Sequence, residues 1–190
     1  VGPGVRGLEV GDHVAASFIP SCGRCPSCAE GMQYLCDNGE EIQRGKPRHK
    51  GPTGMVRAMS GIGTFSEYSV VHENSIVKVG DWYPLDAVAI TSCGVATGWG
   101  SAVNVAGVKA GDTVVVIGTG GIGINAVQGA AMAGAANVIA VDPVEMKREF
   151  AQTVGATHAV ASIEEAGPLV QDLSWGRGAN AVLLTVGDAT

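Results

Sequence analysis

Val114-Val115-Val116-Ile117-Gly118-Thr119-Gly120-Gly121-Ile122-Gly123 is the stretch on which the fold turns. A β-branched run reads as a strand, and it passes straight into G-x-G-x-x-G and then into residues of helical texture, 124–133. In that strand, turn and helix context each glycine has a purpose. Gly118 permits the tight turn, Gly120 lets the backbone approach a pyrophosphate, and Gly123 allows the helix to pack on the strand. Gly121 opens the helix, whose N-terminal N–H groups face an anion. Flavin and S-adenosylmethionine folds use the same glycines, so the motif alone does not name the cofactor.

A second mark lies at the end of the next apolar run, Val138-Ile139-Ala140-Val141, where Asp142 follows Gly123 by 19 residues. A carboxylate there binds the ribose hydroxyls of a dinucleotide and repels a 2′-phosphate, and no Arg immediately follows it, so NAD is expected over NADP. Lys147 is expected to add a contact on the ribose or pyrophosphate side.

Outward from this turn, Ala-rich segments of helical length alternate with β-branched runs, which is βαβ rhythm. Strands are expected at 113–117, 137–141, 158–160 and 181–186, with helices at 121–133, 145–154 and 163–173. They make an α/β unit with a partial Rossmann-type parallel sheet of four strands, where two complete βαβαβ halves supply six. Before residue 85 the texture is different: short stretches such as 13–19 and 65–71, separated by Gly and Pro, read as irregular β. The expected division is 1–92 and 93–190.

The first part also holds Cys22, Cys25, Cys28 and Cys36, a C-x2-C-x2-C-x7-C pattern. Four thiolates so close suit a zinc ion held tetrahedrally, and a closed all-Cys shell leaves no position for substrate, so the site is structural. Disulfides, an iron–sulfur cluster and free core thiols remain alternatives. Disulfides belong mainly to oxidising compartments, whereas C-x2-C-x2-C also occurs in ferredoxins.

Composition narrows the function. The 190 residues carry a net charge of -6 and are 46% hydrophobic. An acidic chain lacks the clustered cations from which nucleic-acid affinity derives, so no nucleic-acid partner is expected. Arg44, Lys46, Arg48, His49 and Lys50, among Gly and Pro, read as a solvated loop. No run is apolar and long enough for a membrane span, and Val1-Gly2-Pro3-Gly4 is not a signal peptide, so a cytoplasmic protein is expected.

The succession of the Cys cluster, Gly63-Thr64-Phe65-Ser66-Glu67-Tyr68, Cys93-Gly94-Val95-Ala96-Thr97-Gly98, the glycine turn and Asp142 resembles the zinc-dependent medium-chain alcohol dehydrogenases over nearly the whole chain. The resemblance implies a partial GroES-like β domain with a zinc-binding lobe, followed by a partial NAD-binding Rossmann domain. It places structural zinc on Cys22, Cys25, Cys28 and Cys36. It makes Cys93, otherwise a candidate buried thiol, one of three ligands of a catalytic zinc. It also sets Thr97 beside the nicotinamide and Ile122 behind that ring.

Within the family, Gly98-Trp99-Gly100-Ser101-Ala102-Val103, Gly123-Ile124-Asn125-Ala126-Val127-Gln128-Gly129-Ala130 and Val141-Asp142-Pro143-Val144-Glu145 resemble actinobacterial nitrosodimethylaniline-dependent enzymes, which keep NAD bound. The implied activity is oxidation of alcohols to aldehydes, and the reverse, in a homodimer or higher homo-oligomer. Thiol-adduct formaldehyde dehydrogenases and a noncatalytic nucleotide-binding member are the alternatives. The family's remaining catalytic ligands are expected N-terminal to Val1, so this stretch alone is expected to be inactive. His13, His49, His72 and His158 lie outside the ligand motifs and are expected at surface or hydrogen-bonded positions.

Overall fold

Gly and Pro interrupt the first half so often that only short elements form there. A computed structural model describes residues 1–44 and 49–187, in two units, Val1–Ser92 and Cys93–Thr190. The first unit contains β1 (Val14–Ala16), α1 (Pro26–Ala29), α2 (Gly39–Arg44), β2 (His49–Gly51), β3 (Gly54–Val56), β4 (Ile76–Lys78) and α3 (Leu85–Ile90). Strand β1 pairs antiparallel with β4, Ala15 opposite Val77, and β2 pairs with β3 as a hairpin. Beside the first pair, Lys78 Nζ lies 2.7 Å from Asp12 Oδ1. Lys46 and Arg48 of the basic cluster lie outside the described residues.

Two strand expectations are corrected here. Of 13–19 only Val14–Ala16 is a strand, because Ser17 Oγ bonds the carbonyl of Ile19 and curls the chain locally. Residues 65–71 form no strand at all. Ser66 Oγ donates to the carbonyl of Gly63 at 2.8 Å, and Ser69 Oγ to that of Ile62 at 2.6 Å. Such side-chain bonds give the backbone an alternative to a ladder, and they leave Phe65 and Tyr68 exposed.

The second unit contains α4 (Ala96–Gly100), β5 (Thr113–Ile117), α5 (Gly121–Met132), β6 (Asn137–Val141), α6 (Glu145–Thr153), β7 (His158–Val160), α7 (Ile163–Leu173) and β8 (Ala181–Leu184). The strands form one parallel sheet in the order β7-β6-β5-β8, Val115 opposite Ile139 on one side and Val182 on the other. This is the α/β architecture expected. The last strand stops two residues early, at Leu184.

Period-two alternation explains the unbroken valine run. Val114, Val116, Val138 and Ala140 face Ala126, Val127 and Ala130 of α5, while Val115, Ile139 and Val141 face Ala166 and Val170 of α7. A strand covered on both faces has no polar face to show. Val114, Val116, Val127 and Val138 are 0% exposed, and each such burial contributes about 1.5–3 kcal/mol. Ser162 caps α7 by accepting from Glu165 N–H, and Glu165 in return accepts from Ala161 N–H. That reciprocal pair starts a helix that then runs through Pro168.

Candidate functional site

Pro26 starts α1 directly after Cys25, which holds Cys25 and Cys28 on the same turn. Ala29 N–H donates to the Cys25 carbonyl, and the following loop returns Cys36 to Cys22, whose N–H lies 3.3 Å from Cys36 Sγ. Ser27 Oγ donates to Asp37 Oδ1 at 2.9 Å and fastens that loop. All four sulfurs lie within 4.8 Å of one another. Thiolates around a tetrahedral ion at about 2.3 Å are about 3.8 Å apart, and Cys25 Sγ and Cys36 Sγ stand 3.9 Å apart.

The thiols differ electrostatically. The N–H of Arg24, followed by the Asn38 amide, lowers the Cys22 thiol to about 6. Burial, followed by the neighbouring Cys25, pushes Cys28 up to about 12. A divalent ion among them would make all four thiolates, since a coordinating thiol is deprotonated outright. The donor set therefore fits a closed tetrahedral metal.

In the second unit the glycine turn joins β5 to α5. Gly118 has φ +84, and a Cβ on Gly123 would overlap the Gly118 carbonyl oxygen, so both positions require glycine. Around Gly120 and Gly121 a Cβ would meet nothing within 4 Å. The mouth of α5 is thus open space lined by main chain, a shape that admits a pyrophosphate.

Asp142 closes β6 beside this turn and is 4% exposed. Its Oδ2 accepts from Thr119 N–H at 2.9 Å and from Thr119 Oγ1 at 3.2 Å, and its Oδ1 accepts from Val144 N–H at 2.9 Å. Burial raises its pKa, but the Thr119 and Val144 N–H groups and the Lys147 charge outweigh that and hold the carboxyl below the usual value. Lys147 Nζ stands 3.8 Å from Oδ2. Of these bonds Oδ2 accepts two and Oδ1 one, and each carboxylate oxygen has two acceptor sites.

Thr97 and Ile122, expected to flank one ring, both border one cleft. They line an open cleft of about 650 Å³ together with Ser101, Leu184 and Val186. The approach of α4 to α5 makes this possible, because a Cβ on Gly98 would overlap the Ile122 carbonyl oxygen. Cys93 is exposed, in the wide helical turn Thr91–Val95. The neighbouring Gly94 packs on Gly121, whose carbonyl oxygen would stand 3.7 Å from a Cβ there. Among the described residues, the group of three or more donors able to hold a metal is the four-Cys cluster, and Cys93 is not in it.

Two groups carried no sequence signal. Thr185, just past β8, donates its hydroxyl to the Gly118 carbonyl at 2.6 Å. His13 departs from its expected surface or bonded setting: its Nδ1 is buried without a hydrogen-bond partner. By contrast, His72 Nδ1 accepts from Asn74 N–H, and His158 Nδ1 is 2.9 Å from Thr157 Oγ1.

A closed thiol centre in one unit, and a glycine-turned parallel sheet in the other, define a metal-holding α/β protein of dinucleotide-binding type. Residues 1–81 match the family described as "Alcohol dehydrogenase GroES-like domain", and residues 121–190 match "Zinc-binding dehydrogenase". An NDMA-dependent alcohol dehydrogenase of Amycolatopsis methanolica is 55% identical over 98% of this chain and 52% of its own length. A putative alcohol dehydrogenase D of Mycobacterium tuberculosis is 48% identical over the same shares. Among solved structures, benzyl alcohol dehydrogenase from Acinetobacter calcoaceticus matches with TM-score 0.81 and 30% identity, over 99% of this chain and 52% of that one. The chain belongs to the zinc-binding dehydrogenase family, and it spans about half the length of the curated relatives it matches.

Proposed function

We propose that the protein oxidises alcohols to aldehydes, and the reverse, by zinc-dependent hydride transfer with NAD. The observation that carries this reading is the cleft shared by Thr97, Ile122 and Val186 at the mouth of α5. A flat ring can enter there while its pyrophosphate meets the N–H groups of Gly120, Gly121 and Ile122, beside Gly118 and Gly123. Asp142, steadied by Lys147, accepts from the ribose, and Thr97 and Ile122 bracket the nicotinamide. When bound, NAD supplies the hydride acceptor.

Cys22, Cys25, Cys28 and Cys36 hold structural zinc in this reading. Cys93 is the donor offered to a catalytic zinc, whose coordination the described residues do not complete. The first unit serves as part of a GroES-like catalytic domain and the second as part of an NAD-binding domain. The protein acts as a homodimer or higher homo-oligomer in the cytoplasm. Support for that setting is the family resemblance, and no described helix is long and apolar enough to cross a membrane.

The test uses full-length protein, a panel of aliphatic and benzylic alcohols, and two acceptors, free NAD and nitrosodimethylaniline. Alcohol-dependent NADH formation supports exchangeable NAD. Bleaching of nitrosodimethylaniline without added NAD supports a permanently held cofactor, as in the sequences it resembles. Activity with neither acceptor, in protein shown to be folded and zinc-loaded, overturns the reading.

A further inference from the structure

The turn between β5 and α5 is fastened from both sides through a single peptide unit, Gly118–Thr119. Its N–H is held by Asp142 Oδ2 at 2.9 Å. Its carbonyl oxygen is held from the opposite side by Thr185 Oγ1 at 2.6 Å. The same hydroxyl lies 3.0 Å from the Ile117 carbonyl, but that oxygen already accepts from Thr185 N–H at 2.9 Å. A hydroxyl has one proton to give, and the shorter distance assigns it to Gly118.

The crowding around this oxygen shows why its direction matters. A Cβ on Gly123 would overlap the Gly118 oxygen and come 2.7 Å from Thr185 Oγ1. A Cβ on Gly118 would run into Val186, with Thr185 Oγ1 at 3.3 Å. The carbonyl therefore occupies a slot between the start of α5 and the end of β8. A peptide is planar, so fixing its oxygen and its N–H fixes the direction in which the chain leaves toward Gly120. One, two and three φ/ψ pairs later come the N–H groups of Gly120, Gly121 and Ile122 assigned to the pyrophosphate.

We propose that Thr185 is a positioning residue for the dinucleotide: its hydroxyl pins the Gly118 carbonyl so that the N–H groups at the mouth of α5 point at the pyrophosphate. The inference rests on the dinucleotide reading above. Asp142 and Thr185 are opposite jaws of one clamp, and they come from β6 and β8 on either side of β5. Thr185 touches no part of the bound molecule in this scheme and acts through Gly118.

The test is NADH fluorescence titration of the full-length protein freed of bound nucleotide, with melting temperature recorded for each variant. Thr185→Val removes the hydroxyl at nearly constant volume and is expected to raise the NADH Kd about tenfold, the worth of one hydrogen bond. Thr185→Ala, which adds no second methyl, is expected to do the same. Thr185→Ser keeps the donor and is expected to restore binding to within about twofold.

Unchanged Kd in both hydroxyl-less variants overturns the inference and leaves the dinucleotide reading intact. Equal weakening in Thr185→Ser and Thr185→Val, tracking lowered melting temperatures, also overturns it, since packing rather than the donor would then be responsible. Wild-type protein that fails to bind NADH overturns the dinucleotide reading itself.

Discussion

At Asp142 a carboxylate is almost sealed from water, yet it stays ionised because the turn donates to it. Its pKa is held below the ordinary carboxylate value in the folded protein. The sign follows from linkage: stability from this group is fully present above the unfolded pKa, about 3.9, and is lost as pH falls through the lower folded value. Asp142→Asn keeps one acceptor oxygen but removes the charge and sets an NH2 against one of the two donors, Thr119 or Val144 N–H. Losing these charge-assisted bonds is expected to cost about 2 kcal/mol near neutral pH. The gap between wild-type and variant melting temperatures is expected to close as pH falls below about 4. A gap that is constant with pH would mean the carboxylate is not the source of the difference. The variant's NADH affinity is expected to fall as well, because Asp142 both holds the Gly118–Thr119 peptide and accepts from the ribose in the proposed reading.

Between elements, the sharpest demand is the approach of α4 to α5. Gly98→Ala drives a methyl into the Ile122 carbonyl oxygen, with Asn125 Cβ at 2.8 Å, and is expected to cost about 1–3 kcal/mol. Gly100→Ala in the same helix meets only the Asn104 amide at 3.7 Å, and it gains helix propensity of up to about 1 kcal/mol. Urea midpoints are expected to move in opposite directions, and a shared direction would refute the packing argument. The contrast also marks what a sequence shows.

The runs at 113–117 and 137–141 were legible because a strand buried on both faces leaves a β-branched signature, and 158–160, a half-buried edge strand, because it falls between two segments of helical texture. Residues 65–71 carry a similar signature, but the hydroxyls of Ser66 and Ser69 bond back to the carbonyls of Gly63 and Ile62 and fold the segment locally instead. The glycine turn and the four cysteines were legible because each is local. Thr185 was not, because it reaches Gly118 across 67 residues. In the sequence Gly98 is one member of a motif; its need for a missing Cβ becomes visible when Ile122 lies against it.

At the scale of the whole molecule the two units are stabilised differently. Cys93–Thr190 has a double-faced sheet with many fully buried apolar residues. In Val1–Ser92 the buried apolar side chains among the described residues are Cys25, Cys28 and Val88, with Pro20 and Ser75 also enclosed. Two of the three are proposed metal ligands, so a metal bound there is expected to contribute to this unit's folding free energy. Under reducing conditions the 190-residue chain is expected to carry about one zinc, the ratio a closed four-thiolate site implies. Chelation is expected to lower the melting temperature of a distinct first transition and leave the sheet's transition nearly in place. Cys28→Ser removes a buried donor and is expected to abolish both the zinc and that separate transition. Iron in place of zinc would assign the cluster to iron–sulfur chemistry. A metal-free chain whose first transition ignores both chelator and Cys28→Ser would show that the thiols are core residues only.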